Sequence, residues 1–171
     1  MSFFSRKSPL RPFNGEMIAE CLRRRGNKFR RDDDGDCIAG YASPDGKVML
    51  LLTLQAVGSK GRVFALRAHA PMRFPSEVFD AIMRLCNEWN ADRRWPKAYL
   101  RRGDDGKDGE ICLEEHLLMP RCGIPEDLVE TLIEVVIDSS FEFWKWAMEV
   151  KLVGHLAEDS ILMFAESSAV H

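Results

Sequence analysis

A cysteine and a histidine, the residue types of a nucleophilic pair, lie four positions apart at Cys112 and His116. A cysteine hydrolase needs its thiol within hydrogen-bond reach of an imidazole. If both residues lie on one strand, a rise of roughly 3.3 Å per residue sets them about 13 Å apart, with Glu114 between them on the same face. A pair formed through the fold, such as His69 with a distant cysteine, stays open. The sequence therefore favours a protein without enzymatic activity.

Two groups of closely spaced aspartates could bind a cation: Asp32, Asp33, Asp34 and Asp36, and Asp104, Asp105 and Asp108. A calcium loop that began at Asp32 would need glycine at its sixth position and glutamate at its twelfth, where this chain has Cys37 and Ser43. The second group also lacks the required spacing. Both groups are better explained as solvated hairpin turns. We therefore expect no metal and no cofactor.

Basic residues near the N-terminus form a candidate anion-binding group: Arg23, Arg24, Arg25, Lys28 and Arg30. Residues 1–31 hold nine Lys/Arg against two Glu, whereas the remainder holds fifteen Lys/Arg against twenty-five Asp/Glu. Such a group could bind the phosphates of a nucleic acid. However, arginines in a last helical turn already complement the helix dipole, and the aromatic–basic interleaving of an RNA-binding sheet is not seen. Contact with nucleic acid, as a stress or transcription-related regulator, is therefore our second hypothesis.

The strongest apolar pattern lies in a long helix that Pro125 begins. Two adjacent apolar stripes run along this helix, and six of their residues form the candidate surface for a partner: Ile133, Ile137, Phe141, Trp144, Trp146 and Met148. Contact with a sheet alone does not require so wide an apolar arc. The helix is therefore predicted to pack on the sheet and also on a second subunit or on residues 156–164. Our first hypothesis is a homodimeric, chaperone-like module that holds an unidentified protein partner on this surface.

Turn residues and periodicity place these candidates on three helices and six strands. Helices are predicted from Asn14 to Gly26, from the capping residue Ser76 to just before Pro96, and from Pro125 onward. Strands are predicted at 28–31, 37–41, 47–56, 62–69, 97–101 and 110–118. The order α-β-β-β-β-α-β-β-α predicts an α+β fold with helices packed on one face of an antiparallel sheet.

Residues 87–99 join the second helix to the fifth strand. Asn87 and Asn90 are predicted to cap the end of the helix, because asparagine tolerates left-handed geometry and satisfies free backbone groups. Trp89 follows the apolar stripe of its helix and is predicted to lie in the core, as is Trp95 beside the turn. A ligand site at these four residues is the alternative, which the pattern favours less.

The chain is long enough for one domain with a substantial core. We predict a flexible basic arm or surface strap at 1–13, the domain at 14–153, and a tail at 154–171 that could be helical. The five cysteines show no CxxC pair, which favours reduced, structural thiols. The N-terminal residues lack the apolar segment of a secretory signal, and the longest apolar run, 48–52, is too short to span a bilayer. These features predict a cytoplasmic protein without membrane contact.

Several short motifs occur in a characteristic order: Asn-Glu-Trp-Asn at 87–90, Arg-Trp-Pro-Lys-Ala-Tyr at 94–99, Glu-Ile-Cys-Leu-Glu-Glu at 110–115 and Gly-Ile-Pro at 123–125. With the element order, they make residues 15–150 resemble the YbjN family of bacterial proteins, whose fold is similar to that of type III secretion chaperones. The resemblance implies an α+β domain that is often dimeric, with no known catalytic residues. It also implies a role as a sensory transduction regulator or a chaperone-like protein. It supplies no active site.

Overall fold

The computed structural model describes residues 9–149, which form an α+β fold with three helices and a seven-stranded antiparallel sheet. The helices are α1 (Gly15–Arg24), α2 (Phe79–Asp92) and α3 (Glu126–Glu149). The strands are β1 (Phe29–Arg31), β2 (Cys37–Ala42), β3 (Met49–Val57), β4 (Val63–His69), β5 (Phe74–Pro75), β6 (Lys97–Arg102) and β7 (Asp108–Leu118). The predicted fold class is confirmed, while the likeness to type III secretion chaperones stays a prediction.

The first four strands form an antiparallel meander, and β7 adds to its β4 edge. β1, β2, β3 and β4 lie side by side, and β4 then pairs with β7. On its other side β7 pairs with β6, while the short strand β5 pairs with the first two residues of β7. β5 was not predicted, because two residues carry no detectable alternation.

All three helices cover one face of the sheet. Leu52, Leu54 and Leu66 point to this face and pack against α1 and the first half of α3. Leu50, Ile111 and Leu113 point the same way and pack against α2 and the second half of α3. Residues at alternate positions, such as Arg67 on β4, lie on the opposite face, as the period of a strand requires.

The width of the apolar arc on α3 follows from this arrangement. α3 has 24 residues, which at a rise of about 1.5 Å per residue makes it roughly 36 Å long. Its first half contacts α1 and the sheet, and its second half contacts α2 and the sheet. α3 therefore needs apolar residues on the sides that face α1, α2 and the sheet. These three contacts explain the two apolar stripes without a second subunit.

The predicted start of α1 is confirmed, and that of α2 is wrong. The side chain of Asn14 accepts a hydrogen bond of 2.9 Å from the backbone N–H of Met17, as an N-cap residue does. Ser76 instead begins a single 3₁₀ turn that ends at Val78, and α2 begins at Phe79 without a side-chain cap. Pro75 and Ser76 do not cap α2, because both contact the β7 side of the sheet. Pro75 pairs with β7, and the Ser76 N–H donates a hydrogen bond to the carbonyl of Lys107.

The residues ahead of α1 are attached to the domain from Arg11 onward. Arg11 exchanges backbone hydrogen bonds of 3.0 and 2.9 Å with Ile124, and the buried ring of Phe13 lies 5.0 Å from that of Phe64. Residues 11–13 therefore form a strap, and Phe13 contributes to the core. Residues 1–8 of the predicted arm, the domain's last four residues and the predicted tail, 154–171, lie outside the described residues.

Between residues 9 and 149, no helix combines the length and the apolar character needed to cross a membrane.

Candidate functional site

A mainly apolar hollow of about 640 Å³ lies between the last turns of α3 and the turn that joins β2 to β3. Its apolar lining comes from Phe141, Met148, Val48 and Pro44. Phe141 and Met148 are only partly buried, whereas the neighbouring apolar residues of α3, Phe143, Trp144 and Ala147, are enclosed. Charged groups of both signs surround the opening: Asp45, Lys47, Glu142, Lys145 and Glu149.

The turn that forms one wall is held by a compact set of hydrogen bonds. The Ser43 hydroxyl donates to the Asp45 carboxylate at 2.6 Å and accepts from the Val48 N–H at 3.0 Å. The bond from Ser43, with bonds from Lys47, lowers the pKa of Asp45 from its ordinary value, so this carboxylate stays charged. The wall is therefore fixed before any ligand arrives.

The hollow can accept an apolar side chain, and the mixed charges at its rim can bind the polar groups beside that side chain. Among the described residues, neither cysteine nor histidine lines the hollow. Sequence reasoning missed the turn residues of this site. The sequence feature that could have indicated them is the Ser-Pro-Asp-Gly turn at 43–46, which Val48 follows. Only the fold shows that this turn lies beside α3.

The six residues predicted as a partner surface divide into two groups. Ile133, Ile137 and Trp144 are 0, 8 and 2 % exposed, so they belong to the core and form no exposed surface. That part of the prediction is wrong, because the sheet, α1 and α2 already cover these side chains. Phe141 and Met148 line the hollow, and Trp146 is also partly exposed.

An aromatic cluster connects α2 to the second half of α3. The ring of Trp89 lies 5.3 Å from Phe143, edge to face, and 5.8 Å from Trp146. Trp89 also donates its indole N–H to the Pro96 carbonyl at 3.1 Å. The prediction that Trp89 lies in the core is confirmed, since it is 3 % exposed. Trp146 covers this cluster, and its partial exposure follows from that position.

The predicted anion-binding group is largely neutralised by acidic residues. Arg24 contacts Glu126 and Glu130 at 2.5 and 2.7 Å, and Arg25 contacts Glu134 at 2.5 Å. These three glutamates are spaced by four residues and therefore share one side of α3. Their spacing was the signal that could have revealed the partners of the arginines.

The other basic residues of this group are less engaged. Arg23 contacts Glu16 at 3.0 Å. Lys28 and Arg30 are exposed, and no carboxylate in the described part of the chain lies within ion-pair distance of them. Three of the five cations proposed to bind nucleic acid, Arg23, Arg24 and Arg25, are therefore already paired with glutamates. This pairing weakens the nucleic-acid hypothesis.

The cysteine and histidine candidates lie on the sheet face that carries no helix. Cys112 and His116 are on one strand with Glu114 between them, as predicted, and Glu114 is bound by Arg67 and Tyr99 at 2.6 Å each. The fold does bring His69 directly opposite Cys112 in the β4–β7 pair. Burial, however, raises the pKa of the Cys112 thiol and lowers that of His69. These directions oppose a thiolate–imidazolium pair, so the arrangement gives no support to a nucleophile.

Both acidic clusters lie in turns between strands, and their side chains bind backbone N–H groups of those turns. The Asp32 carboxylate accepts a hydrogen bond from the Asp36 N–H at 2.9 Å, and the Asp105 carboxylate accepts one from the Lys107 N–H at 3.0 Å. Among residues 9–149, no three histidine, cysteine or acidic side chains come together as a metal site requires.

Asn90 has a different role from the predicted helix cap. Its side chain accepts from the Ala98 N–H and donates to the Ala98 carbonyl, each at 2.8 Å, which connects the last turn of α2 to the backbone of β6. Asn87 is exposed on the same helix. The capping prediction is wrong for both asparagines, because the helix ends through the backbone bond from Arg93 to the Trp89 carbonyl.

Comparisons with known proteins point to one family. No curated protein matches the sequence. Among solved structures, the fold is similar to the crystal structure of YbjN, a "putative transcription regulator from E. coli", with a TM-score of 0.64 and 13 % sequence identity over 84 % of this chain and 97 % of that one. The family profile of YbjN, described as "Putative bacterial sensory transduction regulator", matches residues 14–147. Because that match spans most of the sequence, the chain belongs to the YbjN family.

Proposed function

We propose that the protein is a non-enzymatic regulator that acts by binding a protein partner, with the hollow at the end of α3 as the contact site. The supporting observation is the partial exposure of Phe141 and Met148 in a mainly apolar hollow whose opposite wall is a fixed turn. The family's description as a regulator is compatible with this role.

The contact would insert one apolar side chain of the partner between Phe141, Met148 and Val48. Partly exposed apolar groups surrounded by charged residues are typical of the anchor positions of protein interfaces, where a few buried side chains supply most of the affinity. Lys145 and Glu142 at the rim would then bind polar groups of the partner and fix its orientation. A second copy of the chain is the first partner to test, since a homodimer is the simplest such assembly.

The direct test is the substitution Met148→Asp, which places a charge in the apolar lining. We expect wild type to form a dimer by light scattering at micromolar concentration, or to retain a defined protein in pull-downs from its native cell. Met148→Asp should weaken that association by about 2 kcal/mol or more, since a buried unpaired charge opposes contact.

Met83→Asp is the matched control. Met83 is 37 % exposed on α2 and lies outside the hollow. This variant should associate as wild type does. A wild-type protein that is strictly monomeric and retains no protein would contradict the proposal, as would equal association of the two variants.

A further inference from the structure

A second hollow, of about 500 Å³, lies on another part of the surface, between the strap, the β3–β4 loop and the residues after β7. It is lined by Pro12, Phe13, Ser59, Lys60, Arg62, Met119, Pro120 and Arg121. Three of these residues are cations and none is acidic. The lining therefore combines positive charge with an apolar floor.

The three cations of this hollow differ from the arginines that contact the glutamates of α1 and α3. Arg11, Arg24 and Arg25 all contact glutamates. In contrast, no carboxylate of the described residues lies within 4.0 Å of Lys60, Arg62 or Arg121. Cations that line one hollow without a described counter-ion make the potential there positive, which favours the binding of an anion.

Arg62 is held in place by the fold, and one of its N–H groups has no partner. Its Nη2 donates to the Met119 carbonyl at 2.9 Å, and its own carbonyl accepts from the Met119 N–H at 2.8 Å. These bonds fix the guanidinium against the wall of the hollow. The Nε atom of Arg62 is buried and has no hydrogen-bond partner. A buried donor without a partner is unfavourable. Because Nε is enclosed, a ligand in the hollow would bind the other N–H groups of this guanidinium.

The loop that carries Lys60 has an unusual backbone. Gly58, Lys60 and Gly61 have φ values of 78°, 65° and 63°, and Lys60 is the one non-glycine residue with positive φ in the described part of the chain. The left-handed region is disfavoured for a lysine. The loop nevertheless holds Lys60 there, and this geometry places its side chain on the hollow.

We propose that this hollow binds a small phosphate-bearing ligand. The phosphate would lie among Lys60, Arg62 and Arg121, since ammonium and guanidinium groups bind phosphate oxygens through charge-assisted hydrogen bonds. An apolar or aromatic part of the ligand would lie on Phe13 and Met119. The volume is within the range of small-molecule sites. Three cations without a lining carboxylate favour a group with more than one negative charge over a single carboxylate.

The test is isothermal titration of the full chain with ADP, inorganic pyrophosphate and adenosine. We expect ADP and pyrophosphate to bind and adenosine not to bind, because the charged group supplies most of the affinity. Tighter binding of ADP than of pyrophosphate would show that the apolar floor contributes. The affinity should fall as salt is added, since the contact is ionic.

Two variants locate the site. Lys60→Gly removes a cation and also relieves the positive φ, so it should fold at least as well as wild type. Arg121→Ala removes an exposed cation. Each should weaken ADP binding by about tenfold or more, the value expected for one charge-assisted bond. Arg30→Ala is the matched control, because Arg30 is an exposed arginine outside the hollow, and it should leave the affinity unchanged.

The proposal is overturned if neither ADP nor pyrophosphate binds. It is also overturned if Lys60→Gly and Arg121→Ala bind ADP as tightly as wild type does, or if Arg30→Ala weakens binding as much as they do. These outcomes do not depend on the hollow beside α3, so the two proposals stand or fall separately.

Discussion

At the scale of single residues, Asn90 shows how one side chain can position an element. The side-chain amide of Asn90 donates to the Ala98 carbonyl and accepts from the Ala98 N–H. These two bonds hold the start of β6 against the end of α2. Asn90→Ala should lower the free energy of unfolding by about 2 kcal/mol, because two partly buried backbone groups lose their partner. Urea denaturation measures this change.

Asn87→Ala provides the control, since it is the same substitution one turn earlier on an exposed position of α2. It should change the free energy of unfolding by less than about 0.5 kcal/mol. Equal losses in the two variants would show that the bonds to Ala98 are not what stabilises this junction.

At the scale of elements, α1 and α3 are connected by a network of ion pairs around Glu126. Its side chain is 16 % exposed and contacts Arg24 at 2.5 Å and also Arg11. The hydrogen bond from the Arg24 guanidinium, and then the one from Arg11, hold the pKa of Glu126 below its ordinary value of 4.5. In the unfolded chain this carboxyl returns toward that value, so the network stabilises the folded state above pH 4.5 and loses its effect as pH falls through the lowered pKa.

We therefore expect Glu126→Gln to destabilise the protein at neutral pH by about 1 kcal/mol, since the arginines are half exposed and the contribution of such pairs is small. The difference from wild type should shrink as the pH falls below 4.5, because wild type then loses the same charge. Urea denaturation at a series of pH values checks both statements.

The control for this network is Glu88→Gln on the exposed side of α2, where no ion pair occurs within residues 9–149. It should follow the wild-type pH profile closely. A Glu126→Gln profile that stays parallel to wild type into acid would contradict the role given to these pairs.

At the scale of the whole molecule, we expect α3 and the centre of the sheet to unfold as one cooperative unit. β3, β4 and β7 each have a strand on both sides, and α3 contacts both halves of the core. β1, with three residues and one neighbour, is an edge. We expect backbone amides of β3 and β4 to exchange hydrogen only through global unfolding, and those of β1 to exchange at least about tenfold faster.

Native-state hydrogen exchange by NMR or mass spectrometry gives the measurement. Uniform protection across β1 and β4 would show that the edge opens only together with the core. Protection of the β2–β3 turn should increase when a partner occupies the hollow beside α3, which connects this experiment to the proposed function.

The sequence by itself determined what depends on neighbouring residues. The cap at Asn14, the alternation along β4, the hairpin turns at the aspartates and the end of the second helix before Pro96 follow from side chains within a few positions of each other. The family motifs also lie in continuous stretches of the chain. These features fix the class of the fold and the family.

Only the tertiary structure decided which surfaces are free. The stripe with Ile133 and Trp144 is buried because α1, α2 and the sheet meet on α3, and Arg24 and Arg25 are paired because the glutamates of α3 lie beside them. Lys60 and Arg121, 61 positions apart in the sequence, line one hollow to which the described residues contribute no carboxylate. Burial and ion pairing are properties of distant segments in contact, so the order of residues could indicate the candidates but not their exposure.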